Sequence, residues 1–314
     1  MAFDSGVRAR LMAGFGLTGL VIAVAASVAM AVTGVPAPLA LARLLKHEVV
    51  EQPVAAGLAS DDLASAGRLG SAFARLGYSL DGVASGHEVP RVFVPAVPAD
   101  LAALPEIDAK KDLFLRVMLP LVLLVNEEVA ADRRRLLAIS ARKATGQPLS
   151  RADEAWLAEL TERYGAEGKP LSVLLRRVDT VAPSLALAQA AEESGWGTSR
   201  VVRKGRNLFG QIADDDGRLA TFGSLHEAVR AYIHNLNTHR AYEPLRRARA
   251  AARARGLWAD GLTLAGALTS YSERGTAYVD NIRALIRRND LARFDNARLG
   301  KSPRRPAVTA PERA

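Results

Sequence analysis

The sequence contains no cysteine. That excludes disulfides, thiolate zinc sites and cysteine nucleophiles, while leaving both reducing and oxidising compartments open. Histidine is sparse, at His47, His87, His226, His234 and His239. No H-E-x-x-H spacing occurs, because His47-Glu48 is followed by Val-Val-Glu51 and His226-Glu227 by Ala-Val-Arg230. His234 and His239 are five apart, on different faces of a helix, so neither a metal site nor a cofactor is expected. There is no G-x-S-x-G elbow, no P-loop and no Gly-rich dinucleotide fingerprint after a strand. Aromatic residues make up only 5% of the chain, and the arginine clusters Arg133–Arg135 and Arg246–Arg247 lack interleaved aromatics. They read as solvated helix faces, and no nucleic-acid partner is expected. Acids are outnumbered, 33 Asp and Glu against 42 Lys and Arg, for a net charge of +9. That balance suits an anionic polymer such as nucleic acid, lipid head groups or an acidic cell-wall glycan, or reflects an arginine-rich composition on solvated faces.

What is present is globular in character: 49% apolar and 24% charged residues over 314 positions, enough for one large or two modest domains. After Arg8 and Arg10, no charge appears from Leu11 until Arg43. Basic residues before an apolar run mark an inserted segment whose start stays in the cytoplasm. The run exceeds a signal core and approaches a bilayer span, yet Ala29-Met30-Ala31 resembles a cleavage site. Residues 1–45 are therefore expected to be a signal peptide or a membrane anchor, with the remainder delivered outside the inner membrane. Residues 46–105 are Ala-, Gly- and Pro-rich and read as a linker and irregular lead-in.

From 106 to about 295 the pattern is helical. Lys110 to Val129 is apolar almost all round, which predicts a buried helix kinked near Pro120, with Asn126, Glu127 and Glu128 as structural residues at its far end. Ser150 is a predicted N-cap with Asp153 at the capping-box position. Further helices are predicted over 171–177, 183–194, 225–237, 242–255, 262–271 and 276–288, with a turn and strand between Asn207 and Gly223. The basic, Pro-rich tail 296–314 is expected to be disordered.

The helix from Val181 carries no charge before Glu192 and Glu193. Leu185 and Gln189 share a helical face with them. A carboxylate in the last turn meets the negative end of the helix dipole beside apolar surface, and both effects raise its pKa, as a general acid requires. On physics alone the pair is either a solvated helix end or the seat of an acid, and nothing separates the two residues.

The stretch "ALAQAAEESGWGTSRVVRKGRNLFGQ", Ala186 to Gln211, resembles the signature of the N-acetylglucosaminidases of glycoside hydrolase family 73. The similarity continues through "SLHEAVRAYIHNLNTHRAY" and "SERGTAYVDNI". The upstream "KKDLFLRVMLPLVLLVNEEVAADRRRLL" and "VPRVFVPAVPADLAALP" resemble the Bax-like bacterial branch. The resemblance implies a mainly α, lysozyme-like domain over 106–295 with a short β-hairpin or turn beside the cleft. It further implies cleavage of the β-1,4 bond after N-acetylglucosamine in peptidoglycan; the N-terminal segment places this in the periplasm, and a monomer is expected.

Carried over by residue, the family's general acid is Glu193, and Glu192 falls to the rim of the cleft. Trp196 offers an aromatic plate or a core cap. Asn207 and Phe209, in the N-L-F-G turn, shape the cleft floor. The family's tyrosine matches Tyr278, with Tyr232 and Tyr242 as competitors. Glycosidases usually need two carboxylates, and none of Asp214, Asp215 and Asp216 aligns convincingly with the family's second acid. Asp215 is the candidate, unless the substrate's own 2-acetamido group serves. A lytic transglycosylase, which needs one carboxylate, and a non-catalytic glycan-binding protein are the alternatives.

Overall fold

The computed structural model describes residues 58–213 and 217–301. The expected N-terminal segment, Asp215 and the tail beyond 301 lie outside the described residues. The helices are α1 (Ala66–Arg75), α2 (Leu80–Ala84), α3 (Ile107–Ala144), α4 (Arg151–Arg163), α5 (Leu171–Arg177) and α6 (Pro183–Ser194). They continue with α7 (Arg200–Gly205), α8 (Leu225–Thr238), α9 (Glu243–Ala254), α10 (Gly261–Ala265) and α11 (Thr276–Arg288). The architecture is mainly helical, consistent with a lysozyme-like helical domain. Among the described residues, no helix is long and apolar enough to cross a membrane.

At the centre lies α6, buried from Pro183 to Ala191 on every side. It packs against α3, α10, α11 and the turn Leu291–Phe294. Its run of Ala and Leu without charge is what permits that position, since a charged face there would be desolvated without a partner. Its N-terminus is capped from far away: Asp295 accepts from Ser184 N at 2.7 Å and from Ser184 Oγ at 2.9 Å. The neighbouring α10 comes so close that a Cβ on Gly261 would lie 2.1 Å from Ser184 Oγ.

The 38 residues of α3 run through Pro120 and on to Ala144, so Asn126, Glu127 and Glu128 sit mid-helix rather than at its end. A helix-interior proline costs about 3 kcal/mol. Here Leu119, Pro120 and Leu121 are all buried, and core packing outweighs the lost hydrogen bond. Asn126 joins α3 to the start of α6, accepting from Val181 N at 3.0 Å and donating to Val181 O at 2.8 Å.

Other expectations are corrected. Within 46–105, α1, α2 and the segment 89–97 belong to the same core as the helical domain, with Leu69, Phe73 and Val89 fully buried. Ser65 and Ser79 cap the two helices, and Pro90, Pro95, Pro98 and Pro105 fall between elements. The first residues of the expected tail are also held to the domain. Val89 pairs with Leu299, Gly300 N donates to Val89 O at 2.8 Å, and Arg91 Nε donates to Gly300 O at 2.8 Å. Finally, Arg133 and Arg246 are not solvated. Arg246 donates to the Leu236 and His239 carbonyls, and Arg133 to those of Leu175 and Val178. Arg133, Arg249 and Arg253 converge on Asp179, whose side chain is 3% exposed. The helix expected over 262–271 is the shorter α10, and α7 adds a helix to those expected.

Candidate active site

The C-terminus of α6 turns through three consecutive left-handed residues, Gly195 (φ 57°), Trp196 (φ 57°) and Gly197 (φ 78°). Buried Ser194 locks the turn: its Oγ donates to the Ala190 carbonyl and accepts from Gly197 N at 2.8 Å. A Cβ on Gly197 would stand 2.8 Å from the Phe114 ring. Trp196 holds a backbone conformation that is unfavourable for a residue with a Cβ, and such strain gathers at functional sites. Its half-buried ring meets Phe114 edge-on at 5.9 Å and lies 5.3 Å from the Lys111 ammonium.

This turn leaves Glu193 half-buried at the helix end. Burial pushes its carboxyl up to about 7, a hydrogen bond from Tyr278 pulls it down, and the charge of Glu192 pushes it up again while Arg274 opposes. Burial dominates because removing water disfavours the ionised form most strongly.

Behind Glu193 runs a buried polar chain. Tyr232 OH donates to Gln189 Oε1 at 2.7 Å, and Gln189 Nε2 donates to Tyr278 OH at 2.8 Å. Since the Tyr278 oxygen accepts from Gln189, its own hydrogen is available to the Glu193 carboxyl. Burial holds the hydroxyls of Tyr232, Tyr271 and Tyr278 well above the usual phenol range, so they stay protonated. Rings close the wall: Phe209 stacks on Tyr232 at 3.9 Å, Tyr271 stacks on Tyr278 at 5.3 Å, and Tyr242 meets Tyr271 at 5.7 Å.

The structure brings together Glu193, Tyr278, Tyr232, Tyr242 and Phe209, and pairs Glu192 with Arg274 at 2.6 Å. Tyr232 is 1% exposed and supports Gln189 rather than facing solvent. Asn207 is buried too, and its amide is spent on backbone. It donates to Gln211 O at 2.7 Å and Ala220 O at 3.0 Å and accepts from Gln211 N at 2.9 Å, holding the turn that carries the Ile212–Leu219 bridge. Gln189, Tyr271 and Arg274 join the site beyond the residues expected from sequence. Gln189 was visible on the face of Glu193. Tyr271 and Arg274 reach the site only because the turn before α11 folds back over Tyr278.

A concavity of about 260 Å³ lies between α3, α8 and the end of α4, lined by Glu128, Asp132, Arg163, Tyr164, Arg230 and His234 among others. Tyr232 and His234 are two residues apart and so point to opposite sides of α8, which sets this hollow away from Glu193. Its charges answer each other: Arg163 bonds Asp132 at 3.1 Å, and Arg230 and His226 approach Glu128 at 3.3 and 2.9 Å. Burial holds His234 down at about 4, neutral, with its Nε2 on the Arg163 carbonyl. Among the described residues, no group of His, Asp and Glu could hold a metal ion.

Residues 171–291, which include Gln189, Glu193 and Tyr278, match the glucosaminidase family model, described as mannosyl-glycoprotein endo-β-N-acetylglucosaminidase. Protein bax of Escherichia coli (strain K12) is 32% identical over 205 residues, covering 60% of this chain and 73% of that protein. No solved structure matches the chain significantly.

Proposed function

The chain belongs to the Bax-like branch of glycoside hydrolase family 73, the glucosaminidases, and from that premise we propose that it is an endo-β-N-acetylglucosaminidase of peptidoglycan with Glu193 as its general acid. The observation that carries this reading is the half-buried Glu193 carboxyl, pushed up to about 7 and hydrogen-bonded by Tyr278. An acid must hold its proton at working pH and lose it as the leaving-group oxygen gains charge. A pKa near neutrality meets both demands.

In this mechanism a strand of peptidoglycan lies across the rim formed by Glu192 and Trp196. Tyr278 donates to one Glu193 oxygen, and the other oxygen carries the proton toward the glycosidic oxygen. As the bond from C1 to that oxygen breaks, positive charge develops on the sugar ring. Water then completes hydrolysis at C1, guided by Asp215 or preceded by attack of the substrate's 2-acetamido group. Gln189 and Tyr232 keep Tyr278 oriented. The reaction is extracytoplasmic, with residues 1–45 as signal or anchor.

One observation favours a second reading. Among the described residues, the carboxylate beside Glu193 is Glu192, and it is tied to Arg274. A lytic transglycosylase needs no second carboxylate. Mass spectrometry of a digest of purified peptidoglycan separates the two, since reducing N-acetylglucosamine ends mark the hydrolase and anhydromuramic ends the lytic enzyme. Glu193→Gln abolishes release of either product; full activity in that variant removes the acid assignment.

A further inference from the structure

Arg274 differs from the arginines of the interior. Arg133, Arg246 and Arg249 are anchored to backbone carbonyls, which fixes them as internal braces. Among the described residues, the Arg274 guanidinium has one hydrogen-bond partner, Glu192 at 2.6 Å, and otherwise lies over the Tyr278 ring, 5.2 Å from its centroid. Its side chain is 49% exposed and that of Glu192 22%. A pair this exposed contributes little to stability, because water competes and two long side chains lose freedom. A guanidinium offers five donors in a planar fork that matches a carboxylate. Beyond its bond to Glu192 the fork has further donors to offer, directly over the tyrosine that serves Glu193. Gly275, at φ 56°, allows the sharp turn that delivers Arg274 there just before α11.

We propose that Arg274 is a specificity-determining residue of this site: on binding, its guanidinium exchanges Glu192 for a carboxylate carried by the glycan strand. The inference rests on the reading of the site as a peptidoglycan glycosidase. Such strands differ from a plain N-acetylglucosamine polymer in bearing carboxylates, either on the lactyl group of the muramic sugar or on the peptide attached to it. Glu192 fills the anion position in the free protein, as an internal stand-in one residue from the acid. A neutral oligomer offers nothing to compete with it. A strand carboxylate brings the same bidentate chemistry together with sugar contacts, and it displaces Glu192 without leaving Arg274 unpaired.

The test is binding by calorimetry, using the full chain carrying Glu193→Gln so that no ligand is consumed, with and without Arg274→Gln. Three ligands are compared: strands with intact peptide stems, strands stripped of peptide by an amidase so that lactyl carboxylates are free, and neutral N-acetylglucosamine oligomers. Arg274→Gln is expected to weaken binding of a carboxylate-bearing strand about fivefold, and that of the neutral oligomer by less than half as much. Arg274→Lys is expected to recover part of the loss. A larger loss on stemmed strands identifies the peptide carboxylate, and a larger loss on stripped strands identifies the lactyl group. Equal weakening on all three ligands, or no binding of any strand, overturns the assignment. The glycosidase reading is checked separately, since it fails if the unmutated chain binds strands yet releases no new sugar ends.

Discussion

Gln189 on α6 donates from its side-chain amide to the hydroxyl of Tyr278 on α11, 2.8 Å away and 89 residues later in the chain. That bond orients the tyrosine toward Glu193, and the other end of the same amide is held by Tyr232. One buried side chain therefore connects the central helix, α8 and α11 behind the proposed acid.

Replacing Gln189 with Leu leaves the Tyr232 and Tyr278 hydroxyls buried without their partner. The expected cost is about 2–4 kcal/mol in denaturant unfolding, with kcat about 10- to 100-fold lower. Gln189→Glu is more informative. A carboxylate accepts from both tyrosines and draws the Tyr278 hydrogen away from Glu193, so activity is expected to fall further than stability.

The rate is expected to decline on the alkaline side with a midpoint of about 7, where Glu193 loses its proton. Glu192→Gln removes a charge that pushes the Glu193 carboxyl up, so the alkaline limb should move to lower pH. Arg274→Gln should move it the other way. Profiles of kcat against pH for the three proteins check the order, and an unmoved limb in both variants would assign the titration to another group.

Stability should carry the same signature. The folded Glu193 carboxyl titrates at about 7 against an ordinary value of 4.5. Between those values the unfolded chain has already released the proton that the folded chain keeps. The native state is thus favoured below about 4.5 and loses that advantage as pH rises through about 7. Glu193→Gln, which cannot ionise, is expected to be more stable than the parent by about 1–3 kcal/mol at pH 8 and nearly equal at pH 4. Paired denaturant curves at the two pH values measure the difference.

Gly197→Ala is expected to cost about 2–4 kcal/mol, because the residue is left-handed and its Cβ would press on Phe114. Since the same turn places Glu193, the variant that survives should also lose activity. Thermal unfolding and turnover together distinguish this from a loss of stability alone.

Asp179→Ala removes the shared counter-charge of Arg133, Arg249 and Arg253. An uncompensated buried charge typically costs about 3–5 kcal/mol. Arg253→Ala, half-exposed at the edge of the cluster, should cost much less.

The helical class is legible in the chain alone, because periodicity, caps and breakers are local. Ser150, Pro183 and Gly195 mark helix ends that physical chemistry places within a few residues. The sequence also singles out an uncharged helix ending in two carboxylates, and the family resemblance chooses Glu193 between them. The tertiary structure decided what depends on distant residues meeting. Nothing local announces that Asp295 caps α6, that Leu69 and Phe73 join the core of a domain expected to begin at 106, or that Arg133 leaves the surface for Asp179. The same holds at the site. Glu193 is legible, but its supports Gln189, Tyr271 and Arg274 are set by the packing of α6 against α11 and by the turn before it. Burial is a property of the assembled core, so the upward shift of the Glu193 carboxyl arises only when those helices close around it.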